Sequence, residues 1–152
     1  MIPGSRPLKS SEPESFFWKE LTAANKDNLG KLKEFILGHA QKNEVPELVL
    51  PKIDLVLEEV LLNIVNYAYP DNPKAVIKVG CALSPDKLNI RIIDQGKEFD
   101  PSAKPDPDIS LSVEERDIGG LGILLVRKIS DEFSYQRSNN QNILDIGFNL
   151  DS

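Results

Sequence analysis

Two asparagines follow a glutamate at helical spacing in the middle of this chain. Glu59, Asn63 and Asn66 stand at positions i, i+4 and i+7, which places them on one face of a helix. An asparagine amide oxygen suits Mg²⁺, and a carboxylate one turn away could accept a proton from a hydroxyl or from water. The alternative is a solvated polar helix face, although asparagine favours helix caps over helix interiors.

A second stretch, residues 92–101, has an aspartate at the end of an apolar run and a glycine two residues later. Asp94 could accept a hydrogen bond from an exocyclic amine. Gly96 would allow a flat ligand to approach the backbone, because glycine has no side chain. The alternative is a plain turn, in which aspartate and glycine are both favoured.

A third stretch is rich in glycine and precedes an apolar helical run. It consists of Gly119, Gly120, Leu121 and Gly122. Backbone N–H groups at a helix start form a phosphate site together with the helix dipole. The alternative is a flexible hinge before a buried helix. The stretch is neither a P-loop nor a dinucleotide fingerprint, because it lacks the Lys-Ser/Thr ending and does not follow a strand in a βαβ unit.

Taken in chain order, these stretches supply the parts that a purine nucleotide with a Mg²⁺-bridged triphosphate would need. They are a helix with a metal ligand and a base, an aspartate–glycine turn, and a glycine-rich helix start. A long aperiodic segment, residues 95–117, separates the last two. A loop of this length inside a compact domain is usually functional or disordered.

Composition narrows the class of protein. The 152 residues are enough for one domain, and the 18 basic against 24 acidic residues give a formal charge of −6. This balance argues against general nucleic-acid or membrane-surface binding. A single cysteine and a single histidine leave no disulfide framework and no His/Cys zinc cluster. We expect a cytoplasmic protein without a signal peptide or a membrane span.

The elements that position the three stretches follow from hydrophobic periodicity. Residues 1–14 predict a flexible N-terminal arm, and residues 15–152 predict one domain. The order β-α-α-β-β-loop-α-β-β predicts an α+β fold, a two-layer sandwich with helices on one face of a mixed, mainly antiparallel sheet. The predicted strands are residues 15–22, 75–83, 88–94, 133–137 and 143–150, and the predicted helices are about 25–42, 52–69 and 119–130. Pro46 and Pro51 are assigned to a loop, and residues 139–142 to a turn.

The three stretches resemble the ATP-binding domain of the GHKL superfamily, to which gyrase, Hsp90, histidine kinases and MutL belong. More narrowly, the chain is similar to bacterial anti-sigma factor serine kinases of the RsbW and SpoIIAB type. Residues 59–69 are similar to the N-box of that family, residues 94–101 to its G1 box, and residues 119–131 to its G2 box and following helix. The resemblance covers residues 15–150 approximately and implies the Bergerat sandwich.

The resemblance implies a role for each matching residue. Glu59 would be the general base that activates a substrate serine hydroxyl. Asn63 would ligate Mg²⁺, and Asn66 would lie near the phosphates. Asp94 would bind the adenine amine, and Gly96 would shape the adenine pocket.

Further nucleotide contacts are implied in the second half of the chain, where residues 97–117 would form an ATP lid. These contacts are Phe99, Arg116 at the γ-phosphate, Gly119, Gly120, Leu121 and Gly122. The chain departs from the wider superfamily at Glu98, where a second glycine is frequent. The spacing from Arg116 to the glycines is also slightly long.

The resemblance implies an ATP-dependent protein serine kinase and anti-sigma factor that uses ATP and Mg²⁺. Its partners would be an anti-anti-sigma protein with a STAS domain, a sigma factor and a second copy of the chain, without nucleic acid or membrane. One alternative is a non-catalytic, nucleotide-dependent module that sequesters a sigma factor or another regulator. Another is a scaffold with a degenerate site. We expect the chain not to be a complete sensor histidine kinase, because residues 1–14 do not resemble a dimerisation helix or a phosphoacceptor histidine segment.

Overall fold

The computed structural model describes residues 16–22, 26–65, 76–96, 98 and 120–150, without the side chains of residues 26 and 120–124. Within these ranges a five-stranded sheet is covered on one face by three helices. The strands are β1 (Phe17–Thr22), β2 (Val76–Ser84), β3 (Lys87–Asp94), β4 (Glu132–Ser138) and β5 (Gln141–Asn149), and the helices are α1 (Lys26–Lys42), α2 (Leu50–Asn63) and α3 (Gly120–Ile129). None of these helices is long and apolar enough to cross a bilayer.

The strands lie in the order β1-β2-β3-β5-β4, and each of the four neighbouring pairs is antiparallel. The predicted two-layer α+β sandwich is confirmed, but its sheet is antiparallel throughout these five strands rather than mixed. The reason is the position of β5. Helix α3 returns the chain so that β4 runs parallel to β3, and β5 then inserts between them and is antiparallel to both.

The observed elements begin and end within two residues of the predicted ones wherever both are described. One assignment is wrong: Pro51 lies in the first turn of α2 and not in a loop. Proline is tolerated there because the first helical N–H groups have no partner within the helix. The predicted arm (1–14), the end of the second helix (66–69) and the lid (97–117, apart from Glu98) lie outside the described residues.

The core lies between the sheet and the helices. Alternate residues of β3 point into it, and the last of them is Asp94. Helix α2 contributes an apolar stripe at helical spacing and contacts both α1 and α3. A fully buried Leu or Ile side chain stabilises a fold by about 1.5–3 kcal/mol relative to its exposed state. Packing in the core therefore fixes the position of the carboxyl end of β3 relative to the helices.

The opposite face of the sheet carries an aromatic cluster on the edge strand β1. Trp18 lies across Gly80 of β2, its partner in register. The Trp18 ring stacks on Phe16 at 5.3 Å between centroids, and the Lys78 ammonium lies 4.4 Å from the ring centroid. A Cβ at position 80 would lie only 2.5 Å from Cε3 of Trp18. Glycine at position 80 is therefore required for the Trp18 indole to pack on β2.

We expect Gly80→Ala to displace the indole and to lower the free energy of unfolding by about 1–3 kcal/mol, as overpacking does. Gly38→Ala is the matched control, because apart from the backbone of α1 itself no described atom lies within 4 Å of the Cβ position of residue 38. That substitution should stabilise the protein by about 0.5–1 kcal/mol through helix propensity. Trp18 is the single tryptophan, so urea unfolding followed by its fluorescence measures both effects. Equal stability of the two variants would contradict the packing of Trp18 on Gly80.

Cys81 of β2 faces the core and is fully buried. Burial raises the pKa of its thiol from the ordinary value of 9.0 to about 11. The folded chain therefore binds this proton more tightly than the unfolded chain does. The contribution of this pKa difference to the free energy of unfolding is complete below about pH 9 and is lost as the pH rises towards about 11.

We expect the stability of the wild-type protein to fall more steeply over this alkaline window than that of Cys81→Val. The difference should be about 2 kcal/mol or less, since one pKa unit corresponds to roughly 1.4 kcal/mol. Urea unfolding from about pH 8 to about pH 11 measures it, and subtracting the two profiles removes the contributions of tyrosines and lysines. Parallel profiles would show that the thiol does not titrate differently in the two states.

Candidate functional site

The carboxylate of Asp94 closes a turn at the end of β3. Its Oδ1 accepts a hydrogen bond from the backbone N–H of Gly96 at 2.9 Å, and the residue is only 2% exposed. The plain turn considered from the sequence is therefore present. The single hydrogen bond from Gly96 does not explain how the Asp94 carboxylate can be buried, however, because a buried charge needs further hydrogen-bond partners.

A second donor to Asp94 comes from β5, where Asn142 lies directly opposite in register. The Nδ2 of Asn142 donates to Oδ1 of Asp94 at 2.9 Å. The Oδ1 of Asn142 accepts from the Tyr135 hydroxyl at 2.6 Å and from Nη1 of Arg137 at 3.1 Å. With two donors on its oxygen, the Asn142 amide must turn its nitrogen towards Asp94.

Asn142 is not among the predicted site residues, because the sequence pattern places residues 139–142 in a turn. The turn comprises only Asn139 and Asn140, both with positive φ (53° and 61°), as tight two-residue hairpins require. Strand β5 therefore begins at Gln141, and Asn142 is its first residue on the core face. The asparagine pair of a tight hairpin was the signal that could have placed it in the strand.

On α2, Asn63 is 4% exposed, so the solvated polar face considered from the sequence does not describe it. Its Nδ2 donates to the backbone oxygen of Glu59 at 2.7 Å. Its buried Oδ1 accepts no hydrogen bond from any residue that the structure describes. A buried oxygen without a donor is rare in folded proteins and calls for an explanation.

The two neighbouring glutamates of α2 have different surroundings. Glu58 accepts a hydrogen bond from the Lys33 ammonium of α1 at 2.8 Å, and Lys33 also pairs with Asp54 at 2.8 Å. These two carboxylates raise the pKa of Lys33, with the hydrogen bond to Asp54 contributing most. Glu59 is half-buried, and its carboxylate has no ion-pair or hydrogen-bond partner within the described ranges.

The residues present fit a hard cation at Asn63. Its amide oxygen is the type of ligand that Mg²⁺ takes, and the oxygen is not used within the described part of the chain. That part contains no group of three His, Cys, Asp or Glu residues that could form a complete metal cage. Mg²⁺ at nucleotide sites commonly has only one or two protein ligands, and the remaining ligands are water and phosphate oxygens.

The glycine-rich stretch begins α3 at Gly120, so Gly120, Leu121 and Gly122 form its first turn. The N–H groups of a first turn have no partner within the helix and carry the positive end of the dipole. Because α3 contacts α2, this helix start belongs to the same layer as Glu59 and Asn63. The predicted site residues Asn66, Phe99, Arg116 and Gly119 lie outside the described residues.

Comparison with known proteins decides the family. Residues 22–148 match the histidine kinase-like ATPase domain. The chain belongs to this family. The resemblance predicted from the three stretches is thereby confirmed, whereas the individual roles of the site residues stay predictions.

Two curated relatives of this ATPase-domain chain are named as kinases. The serine/threonine-protein kinase BtrW of Bordetella bronchiseptica is 29% identical over 92 residues, which cover 60% of this chain and 65% of BtrW. The serine-protein kinase RsbW of Oceanobacillus iheyensis is 30% identical over 89 residues, or 53% of each chain. In both cases the alignment spans less than two thirds of the relative.

A solved structure shares the fold of this ATPase domain. A chain from the crystal structure of the SiaB–SiaC complex of Pseudomonas aeruginosa superposes with a TM-score of 0.53. The match covers 88% of this chain and 89% of that one at 12% sequence identity. At this identity the likeness concerns the fold alone.

Asn63 and Asn142, which are both buried, should respond differently to substitution by leucine. Asn63→Leu removes one hydrogen bond but also an oxygen without a donor, so we expect a change in unfolding free energy within about 1 kcal/mol. Asn142→Leu leaves the buried Asp94 short of a donor and should destabilise by about 2 kcal/mol or more. Urea unfolding of both variants measures this contrast. Equal losses would assign Asn63 a structural role.

Proposed function

We propose that this chain is an ATP-dependent protein serine kinase and anti-sigma factor of a bacterial partner-switching system. Its substrate would be a serine of an anti-anti-sigma partner with a STAS domain, and a sigma factor would be its second partner. Membership of the ATPase-domain family and the kinase names of its curated relatives support this proposal. The homodimer expected from the resemblance stays a prediction.

ATP would lie between α2 and the first turn of α3, with its base at Asp94. The Asp94 carboxylate accepts hydrogen bonds from two protein donors on Oδ1, so it is held as an acceptor for an exocyclic amine. The N–H groups at the start of α3 would donate to the phosphates. Asn63 would hold Mg²⁺, which when bound would offset negative charge on the phosphate oxygens.

In the proposed reaction the carboxylate of Glu59 accepts the proton of the substrate serine hydroxyl. The serine oxygen forms a bond to the γ-phosphorus, and the bond from that phosphorus to the β–γ bridging oxygen breaks. The products are phosphoserine and ADP. The protein therefore contributes mainly positioning and electrostatic stabilisation, as is usual in phosphoryl transfer.

One observation carries the assignment of the base: adjacent glutamates on α2 differ in whether their carboxylates are engaged. Lys33 engages Glu58, whereas no described residue engages Glu59. A general base needs a free carboxylate within reach of the proton it takes. Glu59 also lies one turn before Asn63, the proposed ligand of the metal at the phosphates.

We expect Glu59→Gln to lower the rate of phosphate transfer at least ~100-fold, because a general base typically contributes ~10²–10⁴-fold. The affinity for ATP should change little, since the substitution keeps the shape of the side chain. The measurement is transfer from radiolabelled Mg-ATP to a purified STAS-domain protein, together with calorimetric titration of ATP. Glu58→Gln is the matched control and should retain activity near that of the wild type.

Phosphate transfer by Glu59→Gln at the wild-type rate would contradict the base assignment. If the wild type binds ATP and the STAS protein but transfers no phosphate, the chain is a nucleotide-dependent binding module instead. If calorimetry shows no binding of ATP or ADP with Mg²⁺, the nucleotide site is degenerate and the kinase proposal is wrong.

A further inference from the structure

Arg137 of β4 reaches across the sheet to the turn that follows β3. Its Nη1 donates to the backbone oxygen of Gly96 at 2.7 Å and to Oδ1 of Asn142 at 3.1 Å. A guanidinium nitrogen carries two hydrogens, so one atom can serve both acceptors. The side chain is half-buried, and these bonds span 41 and 5 residues of sequence.

These two bonds have consequences for Asp94, which Arg137 does not itself need to contact. The bond to Asn142 helps to fix the orientation of that amide, whose nitrogen donates to Oδ1 of Asp94. The bond to Gly96 holds the residue whose N–H donates to the same oxygen. Arg137 therefore holds two groups, Gly96 and Asn142, that donate hydrogen bonds to the Asp94 carboxylate.

The strength of this arrangement comes from charge and from geometry. Hydrogen bonds from a guanidinium are charge-assisted and roughly twice as strong as neutral ones. A carboxylate whose rotation is fixed can select a ligand by its hydrogen-bonding pattern, because a mismatched polar group is left unpaired.

We propose that Arg137 is a positioning residue of the nucleotide site, which holds the Asp94–Gly96 turn in the geometry that receives the base. The inference rests on the nucleotide binding proposed above and adds a residue to it. The 6-amino group of adenine donates to a carboxylate, whereas the 6-oxo group of guanine is an acceptor and is repelled by it. Loss of Arg137 therefore weakens ATP binding more than GTP binding.

Arg91 provides a matched control in the same sheet. It is a half-buried strand arginine that binds Asp145 through two hydrogen bonds, at 2.7 and 3.1 Å. Arg91 lies on the sheet face opposite to that of Asp94, since Ile90 and Ile92 of β3 are buried in the core on either side of it. A purely structural role for Arg137 would make the two substitutions alike in their effect on nucleotide selectivity.

The test uses the full chain with Arg137→Met, Arg137→Lys and Arg91→Met. Calorimetry gives the Kd for Mg-ATP and Mg-GTP, and thermal unfolding gives Tm. We expect Arg137→Met to raise the Kd for ATP about ten-fold or more and the Kd for GTP by less, so that the selectivity for ATP over GTP falls. Arg91→Met should keep the wild-type selectivity even if its Tm is lower. The selectivity of Arg137→Lys should lie between that of Arg137→Met and that of the wild type.

The proposal is overturned if Arg137→Met binds both nucleotides as the wild type does, or if it loses affinity for both by the same factor. If Arg137→Met does not fold, Arg137→Lys decides: an intermediate selectivity supports the role and a wild-type selectivity overturns it. If the wild-type protein binds neither nucleotide, the proposed function and this role are both wrong. The positioning role of Arg137 is wrong by itself, with the proposed function unaffected, if the wild-type protein binds ATP and the Arg137 variants keep its selectivity.

Discussion

A carboxylate buried at the end of a strand must find its hydrogen-bond donors within the protein. Asp94 finds them in the backbone of Gly96 and in the side chain of Asn142 from the neighbouring strand. An uncompensated buried charge costs several kcal/mol, so this contact constrains the register of β3 and β5. A slip of one residue would move Asn142 to the opposite face of the sheet and leave Asp94 without it. The geometry of the candidate site therefore depends on the same contact as the pairing of the central strands.

Asn63 and Asn142, two buried asparagines of the described ranges, differ in how their side chains are hydrogen-bonded. Both polar ends of the Asn142 side chain are bonded, and it joins β3, β4 and β5. Asn63 uses its nitrogen on its own helix and keeps a buried oxygen without a donor in the described part of the chain. A protein under selection for stability alone would be expected to remove such an oxygen or to supply its donor. A bound cation of the kind proposed above would use this oxygen as a ligand.

Local patterns in the sequence were sufficient to predict the helices, the strands and the three polar stretches. Each depends on residues close together in the chain, such as the 3.6-residue stripe of α2 or the alternation along β3. The support of Asp94 was not predictable in this way, because Asn142 and Arg137 lie 48 and 41 residues from the groups they bind. Those contacts follow from strand register, which a single sequence does not reveal. The assignment of Pro51 to a loop failed for a different reason, since proline is both a helix breaker and a frequent first-turn residue.

Helix α2 contacts the core, α1 and α3, and the 100° rotation between consecutive residues places these contacts on different sides of the helix. One side enters the core, a second carries Asp54 and Glu58 to Lys33 of α1, and Glu59 follows on the next position. Exposed ion pairs of this kind contribute only about 0–1 kcal/mol to stability. The main consequence of the Lys33 contacts is therefore that they engage the carboxylates of Asp54 and Glu58. The hydrogen bond to Asp54 and then that to Glu58 raise the pKa of Lys33 above its ordinary value, so both carboxylates are engaged by the same ammonium. The adjacent Glu59 is not engaged by Lys33, which is the difference on which its proposed role as general base depends.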